Sequence, residues 1–276
     1  MNILYCGDEN IEDGLMISVL SILKNVDADL HFYVMTMTLK NEDHSFYPVN
    51  QKVVQILRDK LREVNVNNSI ELFDATSIFQ KMIPSANMQT RFTPYCMLRL
   101  FADQVSCIPD KILYLDNDVI CRQSIKEFYE QDMEKYEIAG VLDYYGRFFF
   151  RNRLFHMDYL NSGVLLLNIK KIRETGLFEM CRKMCQEKKM FMPDQSALNK
   201  LCQRKRIAKR KFNEQRILHQ DTVLQHFTTS FRFLPWIHTI TVKPWQVEKV
   251  HSKLKLFEYD DILEEYLKAK ACIRGN

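Results

Sequence analysis

Short apolar runs alternate with segments of helical periodicity along the first 120 residues, and this alternation constrains the fold more than any other feature of the chain. Residues 2–6 read as an apolar strand, and 12–24 place Leu15, Met16, Val19, Leu20 and Leu23 on one helical stripe. Residues 30–35 read as a second strand, 51–64 as an amphipathic helix and 69–73 as a third strand. A helix over about 94–105 leads to a strand at 111–115, and a later strand at 164–168 precedes a helix over roughly 169–187. Strands separated by helices pair in parallel, because each connection has to cross over. The expected fold is therefore α/β, a mostly parallel central sheet with helices on both faces. In such sheets ligands bind beyond the carboxyl ends of the strands.

One strand end carries unusual chemistry. The run Lys111-Ile112-Leu113-Tyr114-Leu115-Asp116-Asn117-Asp118-Val119-Ile120 is apolar up to two aspartates one residue apart. Residues i and i+2 of a strand face the same way, so Asp116 and Asp118 are expected to aim two carboxylates at one point. That makes half a site for a hard divalent cation. A solvated turn is the plain alternative, since Asp-x-Asp is a short motif. Asp8 follows the first strand and falls on the same expected edge.

Composition narrows the function classes. The 276 residues carry a formal net charge of +4, too mild to demand nucleic acid. Seven glycines and seven prolines are too few for a disordered chain. The eight cysteines form no CxxC pair, so they read as free thiols of a reducing cytoplasm. The first residues enter a strand directly, without the pattern of a signal peptide. No run reaches the roughly 18 apolar residues of a membrane span. Neither a repeat nor a shift in composition marks a second fold unit, and residues 1–245 are expected to form the main domain, with 246–276 as a helical extension. The amphipathic stretch over about 246–270 reads as a helix packed on the domain.

Other segments hold polar residues in apolar company. Asn161-Ser162-Gly163 stands at the mouth of the apolar run Val164-Leu165-Leu166-Leu167, where it could be a turn or part of a site. Met192-Pro193-Asp194-Gln195 reads as a helix start with Asp194 near the cap. Asp143 closes the apolar stretch 138–142, and Lys243-Pro244-Trp245 fixes a cation at a rigid corner. The basic runs Arg204-Lys205-Arg206 and Lys209-Arg210-Lys211 could meet anionic lipid or an anionic acceptor, or form a solvated face.

In this order, from Asp8-Glu9-Asn10 through Arg99-Leu100, Leu113–Ile120, Asp143, Leu160–Asn168, Pro193-Asp194-Gln195 with Leu198-Asn199, to Lys243-Pro244-Trp245, the segments resemble glycosyltransferase family 8. These are nucleotide-sugar transferases of the GT-A fold that retain the anomeric configuration. The resemblance implies a hexosyltransferase that takes UDP-glucose or UDP-galactose. Its acceptor would be a hydroxyl of a glycan, glycolipid or glycoprotein in bacterial surface glycan assembly. It also implies a cytoplasmic protein, with peripheral contact at the inner membrane face as an added option. Mn²⁺, with Mg²⁺ as the alternative, would sit on Asp116 and Asp118 and bridge the diphosphate. Asp8, Asn10, Arg99, Asp116, Asn117 and Lys243 would hold the UDP-sugar, with Asp8 and Asn10 on the uridine and Lys243 on the phosphates. Gln195, Asp194, Asp143 and Asn161 would line the reacting centre. Gln195 occupies the place of a nucleophile and is a poor one, which favours front-face substitution.

Two departures from the family pattern stand out. Ile11 replaces the aromatic that usually follows Asp-x-Asn, so stacking on uracil would fall to Tyr5 or a neighbouring loop. The metal histidine of the pattern has two matches. His226 ends an apolar strand-like run but precedes Lys243 by 17 residues; His238 has nearly the usual spacing but a weaker strand. Both stay open. The aromatic, arginine-rich stretch 144–158 is the candidate acceptor loop. Two other classes use such an aspartate pair or fold. A nucleotidyl- or phosphoryl-transferring enzyme would be expected to show a glycine-rich phosphate loop after the first strand, which is absent. A non-catalytic binding protein would have been expected to lose an aspartate or Lys243.

Overall fold

The computed structural model describes residues 1–40, 45–89, 94–144, 146, 158–232 and 238–274, with the backbone alone for 230–232, 238–240 and 274. Chain order begins β1 (Asn2–Cys6), a helix at Glu12–Asn25, and β2 (His31–Thr36). The small hairpin β3 (Leu39–Lys40) with β4 (Ser45–Phe46), a helix at Gln51–Val64 and β5 (Ser69–Asp74) follow. Then come a 3₁₀ helix at Pro94–Gln104, β6 (Lys111–Leu115), β7 (Val119–Cys121), β8 (Ile138–Leu142) and β9 (Leu160–Asn168). The last strands are β10 (Lys205–Ile207), β11 (Leu224–His226), β12 (Ser230–Arg232) and β13 (His238–Ile240).

Seven strands make the main sheet in the order β10-β8-β9-β6-β1-β2-β5. Pairs β1–β2, β2–β5, β1–β6 and β8–β10 are parallel, while β9 runs antiparallel to both β6 and β8. The sheet is thus the mostly parallel one expected. Alternation along each strand feeds a core on either face. Ile3, Tyr5, Phe32, Val34, Leu113 and Leu115 meet the helices Glu12–Asn25, Gln51–Val64 and Asp260–Arg274. Leu4, Met35, Ile112 and Tyr114 meet the opposite layer, built from Pro94–Gln104, Leu177–Glu187 and Pro193–Leu201. Tyr5 is fully buried and its hydroxyl shares a 2.7 Å hydrogen bond with Ser18, so it is a core residue and cannot stack on a base.

Several local expectations are revised. Asn161-Ser162-Gly163 is no turn: it lies inside β9, because Asn199 clips the first residue of that strand, accepting from Leu160 N at 2.7 Å and donating to Leu160 O at 2.8 Å. The single helix expected over 169–187 breaks into Ile169–Thr175 and Leu177–Glu187. Gly176 makes the break at φ 67°, a left-handed conformation that favours glycine. Asp194 does not cap its helix; Met192 is the N-cap and Pro193 the first helical residue. The C-terminal stretch holds a short helical turn at Val247–Lys249 that continues as a π-helix at Val250–Leu254, and one full helix, Asp260–Arg274, packed on the first helix through Lys270–Asp13 (2.7 Å) and a Lys24–Asp261 pair. Among the described residues no helix is long and apolar enough to cross a membrane. The basic runs are largely consumed locally. Lys209 and Lys211 pair with Glu127, Arg210 with Glu214 and Asp221, Lys205 bonds Asn199 O, and Arg206 bonds Asp132 O. Of the candidate acceptor loop 144–158, residues 145 and 147–157 lie outside the described residues.

Candidate active site

β6 delivers Asp116 to the carboxyl edge of the sheet, next to the end of β1. The strand stops at Leu115, so the two aspartates do not converge by strand alternation. A turn brings them together, with Val119 N donating to Asp116 O at 3.3 Å before β7 begins. β7 pairs with β11 and sets His226 opposite Val119. His226 Nε2 then lies 3.1 Å from Asp118 Oδ1 and 3.7 Å from Asp116 Oδ2. One ligand atom from each of Asp116, Asp118 and His226 lies within 4.8 Å of the others, a mixed carboxylate and imidazole set suited to a divalent metal. Of the two candidate histidines, His226 joins the aspartates. His238 heads β13 opposite Arg232, and its side chain lies outside the described ones.

The floor of this cluster is Gly163. Asp116 N donates to Gly163 O at 2.8 Å, and a Cβ on Gly163 would strike the His226 ring and come within 2.8 Å of Asp116 Oδ2. The glycine therefore makes room for the Asp116 and His226 side chains. Gly14 plays the same part on the other side: a Cβ there would meet Asn117 and Trp245, so Asn117 packs against the first helix.

Charge is balanced by one buried cation, Arg99, and one half-buried cation, Lys243. Arg99 spends its whole guanidinium here. NH1 donates to Ser162 O at 2.5 Å, NH2 to Asp116 Oδ1 at 3.0 Å and Nε to Cys96 O at 2.9 Å, while Nε lies 3.4 Å from Asp194 Oδ2. The same group stacks 4.0 Å from the Tyr114 ring centre, and Tyr114 donates to Asp116 Oδ1 at 2.6 Å. Lys243 pairs with Asp118 and donates to Phe227 O at 3.1 Å. Burial opposes charge on Asp118, but His226 and Lys243 outweigh it and hold its carboxyl well below the usual range. Burial pushes the Cys6 thiol up to about 12, with Arg99 drawing it down and Asp116 adding to the rise.

Beside the acidic pair a buried amide network forms. Gln195 Oε1 accepts from Ser162 N at 2.9 Å and Ser162 Oγ at 3.1 Å; Gln195 Nε2 donates to Asp143 Oδ2 at 3.2 Å. Asn161 Nδ2 donates to the same Asp143 oxygen at 2.9 Å. Asp8 is buried at the end of β1, where it accepts from Asn10 N at 3.1 Å and from Asn10 Nδ2 at 3.0 Å. Next to Asp143 a cavity of about 310 Å³ is lined by Leu142, Tyr144, Gln215 and Arg216, among others. Sequence reasoning missed Cys96, Tyr114 and Asn213 as parts of this constellation. A single Asn or Cys carries no spacing signal.

Comparison with known proteins gives the family and the fold. The model of glycosyl transferase family 8 matches residues 2–249. The lipopolysaccharide 1,3-galactosyltransferase of Salmonella typhimurium strain LT2 is 26% identical over 262 residues, spanning 88% of this chain and 72% of that protein. The lipopolysaccharide 1,2-glucosyltransferase of Escherichia coli is 23% identical over 313 residues, spanning 99% of this chain and 88% of that protein. Among solved structures, the galactosyltransferase LgtC in complex with donor and acceptor sugar analogs superposes with a TM-score of 0.68 at 20% identity, covering 97% of this chain and 96% of that one. The fold is thus of the GT-A type.

Proposed function

Because the chain belongs to glycosyl transferase family 8 and is a hexosyltransferase, we propose that it moves glucose or galactose from a UDP-sugar to an acceptor hydroxyl, with retention, using a divalent metal held by Asp116, Asp118 and His226. The observation that carries this reading is the convergence of those three side chains from two distant segments at the carboxyl edge of the sheet. Mn²⁺ suits the mixed oxygen and nitrogen donors, with Mg²⁺ as the alternative. A bound metal would offset the charge that grows on the leaving diphosphate. Asp8, Asn10, Arg99 and Asn117 complete the proposed donor site. Lys243, at Asp118, is placed to add a point charge to the phosphates.

The proposed chemistry at the sugar follows from Gln195. Both acceptor positions of Oε1 are taken by Ser162, so no lone pair is left to attack an anomeric carbon. This supports front-face substitution, in which the acceptor hydroxyl enters on the side the diphosphate leaves. Asp143, Asn161 and Asp194, fixed by their buried hydrogen bonds and ion pair, would orient the hexose hydroxyls. The cavity beside Asp143 is the proposed acceptor entry. A bacterial surface glycan, glycolipid or glycoprotein is the proposed acceptor class, because the relatives above carry lipopolysaccharide transferase names. Work at the cytoplasmic side belongs to the same proposal. So does a division in which 246–276 is a helical extension closing the core of 1–245.

Calorimetric titration of UDP with and without Mn²⁺ tests the donor site. Metal-dependent binding, followed by hydrolysis of UDP-glucose or UDP-galactose, is the expected result. No UDP binding under either condition would overturn the reading.

A further inference from the structure

We infer that Asn213 is the positioning residue that holds His226 in the tautomer able to bind metal, a role resting on the metal reading above. Asn213 is 1% exposed and follows the short helix Arg210–Phe212, whose Phe212 ring stacks on Phe128 at 5.0 Å. The next residue runs alongside β11: Glu214 N donates to Leu224 O and His226 N to Glu214 O, each at 2.9 Å. This seats the Asn213 carboxamide between His226 and Asn161. Its Oδ1 is 3.2 Å from His226 Nδ1, and its Nδ2 is 2.9 Å from Asn161 Oδ1.

The direction of these bonds is set from both ends. Gly163 N, a backbone group that can only donate, lies 3.0 Å from Asn161 and fixes that atom as Oδ1. At the other end Asn161 Nδ2 meets the Asp143 carboxylate, which accepts. With Asn161 Oδ1 an acceptor, the Asn213 atom facing it has to be the NH₂ group. The Asn213 atom facing His226 is then its oxygen, which has no proton to give. His226 Nδ1 therefore carries a proton whether or not Nε2, the nitrogen turned toward Asp118 and Asp116, holds a second one against the carboxylates before a metal displaces it. A partner on the far ring nitrogen is how metal-binding histidines are oriented and made more basic. Here the same chain ties the ligand histidine to Asp143 and Gln195, so the metal site and the proposed sugar pocket share one hydrogen-bonded frame.

The test compares the whole chain with its Asn213→Ala and Asn213→Asp variants, and uses Asp118→Ala as a control on the site. In ¹⁵N–¹H spectra of metal-free protein, assigned with His226→Gln, the wild-type His226 ring is expected to show a slowly exchanging proton on Nδ1. Asn213→Ala is expected to lose that protection and to bind Mn²⁺ about ten- to a hundredfold more weakly by calorimetry. Asn213→Asp keeps an acceptor for Nδ1, so its affinity is expected within about threefold of wild type even though its bond to Asn161 is lost. Unchanged affinity and an unchanged ring proton in Asn213→Ala, with Mn²⁺ binding lost in Asp118→Ala, would overturn the role of Asn213 and leave the metal site standing. Equal Mn²⁺ binding by wild type and Asp118→Ala, or none by either, would overturn the metal reading and this role with it. If Asn213→Ala does not fold, the wild-type spectrum decides: an Nδ1 without a proton overturns the assignment.

Discussion

Gly163 lies so close beneath the His226 ring that a single added methyl group would collide with it and press on Asp116 Oδ2 at 2.8 Å. The histidine, an aspartate and a strand backbone are thus packed with no spare volume. Gly163→Ala is expected to displace His226, costing about 1–3 kcal/mol of stability as overpacking and about ten- to a hundredfold in Mn²⁺ affinity. Thermal unfolding and calorimetry read the two effects. Wild-type affinity in this variant would show that His226 is not a ligand.

Asp118 faces both His226 and Lys243. Asp118→Ala is expected to abolish turnover, by at least about a hundredfold, because it removes a proposed metal ligand while the surrounding core strands are untouched. Circular dichroism should show the fold retained. Full Mn²⁺-dependent turnover in this variant would rule out the assigned site.

Gln195 Nε2 donates to Asp143 Oδ2 at 3.2 Å. In Gln195→Glu that donor becomes an oxygen, and two carboxylates face each other. Mutual repulsion raises the pKa of one, so the variant binds a proton more readily than either isolated acid. Protonated, it can donate to Asp143 again; as pH rises it cannot. Activity relative to wild type is therefore expected to fall with rising pH, which paired pH–rate profiles would reveal. A constant ratio from pH 5 to 8, a window that brackets about one unit above ordinary carboxylates, counts against the bond.

Tyr5 separates core from ligand. Its hydroxyl bonds Ser18 at 2.7 Å inside the sheet–helix layer. Tyr5→Phe is expected to lose about 1–3 kcal/mol in denaturant unfolding, because a buried partner is left unmatched, with UDP affinity unchanged. A marked loss of UDP binding at full stability would return Tyr5 to the nucleotide site.

Cysteine reactivity provides an independent check on packing. All eight cysteines are free; Cys107 and Cys272 are exposed, while burial pushes Cys121, Cys185 and Cys202 up to about 12. At pH 8 those buried thiols are far less ionised than an exposed thiol, and the thiolate is the reactive form. Iodoacetamide is expected to label Cys107 and Cys272 first in the native protein, and all eight in denaturant. Peptide mass spectrometry measures the order; rapid native labelling of Cys121 would contradict the described core.

Local pattern determined much of this protein. The apolar alternation of β1, β2, β5 and β6 and the helical stripe over Leu15–Leu23 need only near neighbours in the chain, and from them the mostly parallel sheet and its carboxyl-edge site were legible. The ordered motifs from Asp8 to Lys243 pointed to the family for the same reason. Tertiary structure decided what depends on distant pairing. His226 reaches the aspartates because β11 pairs with β7, a contact between segments about a hundred residues apart that no local periodicity encodes. Asn161-Ser162-Gly163 became strand rather than turn because Asn199, in a later helix, satisfies the backbone of Leu160. Asn213 is invisible as a motif, since its role lies in which atoms of His226 and Asn161 it faces. Hydrogen-bond direction is a property of three-dimensional neighbours, and only the folded chain supplies them.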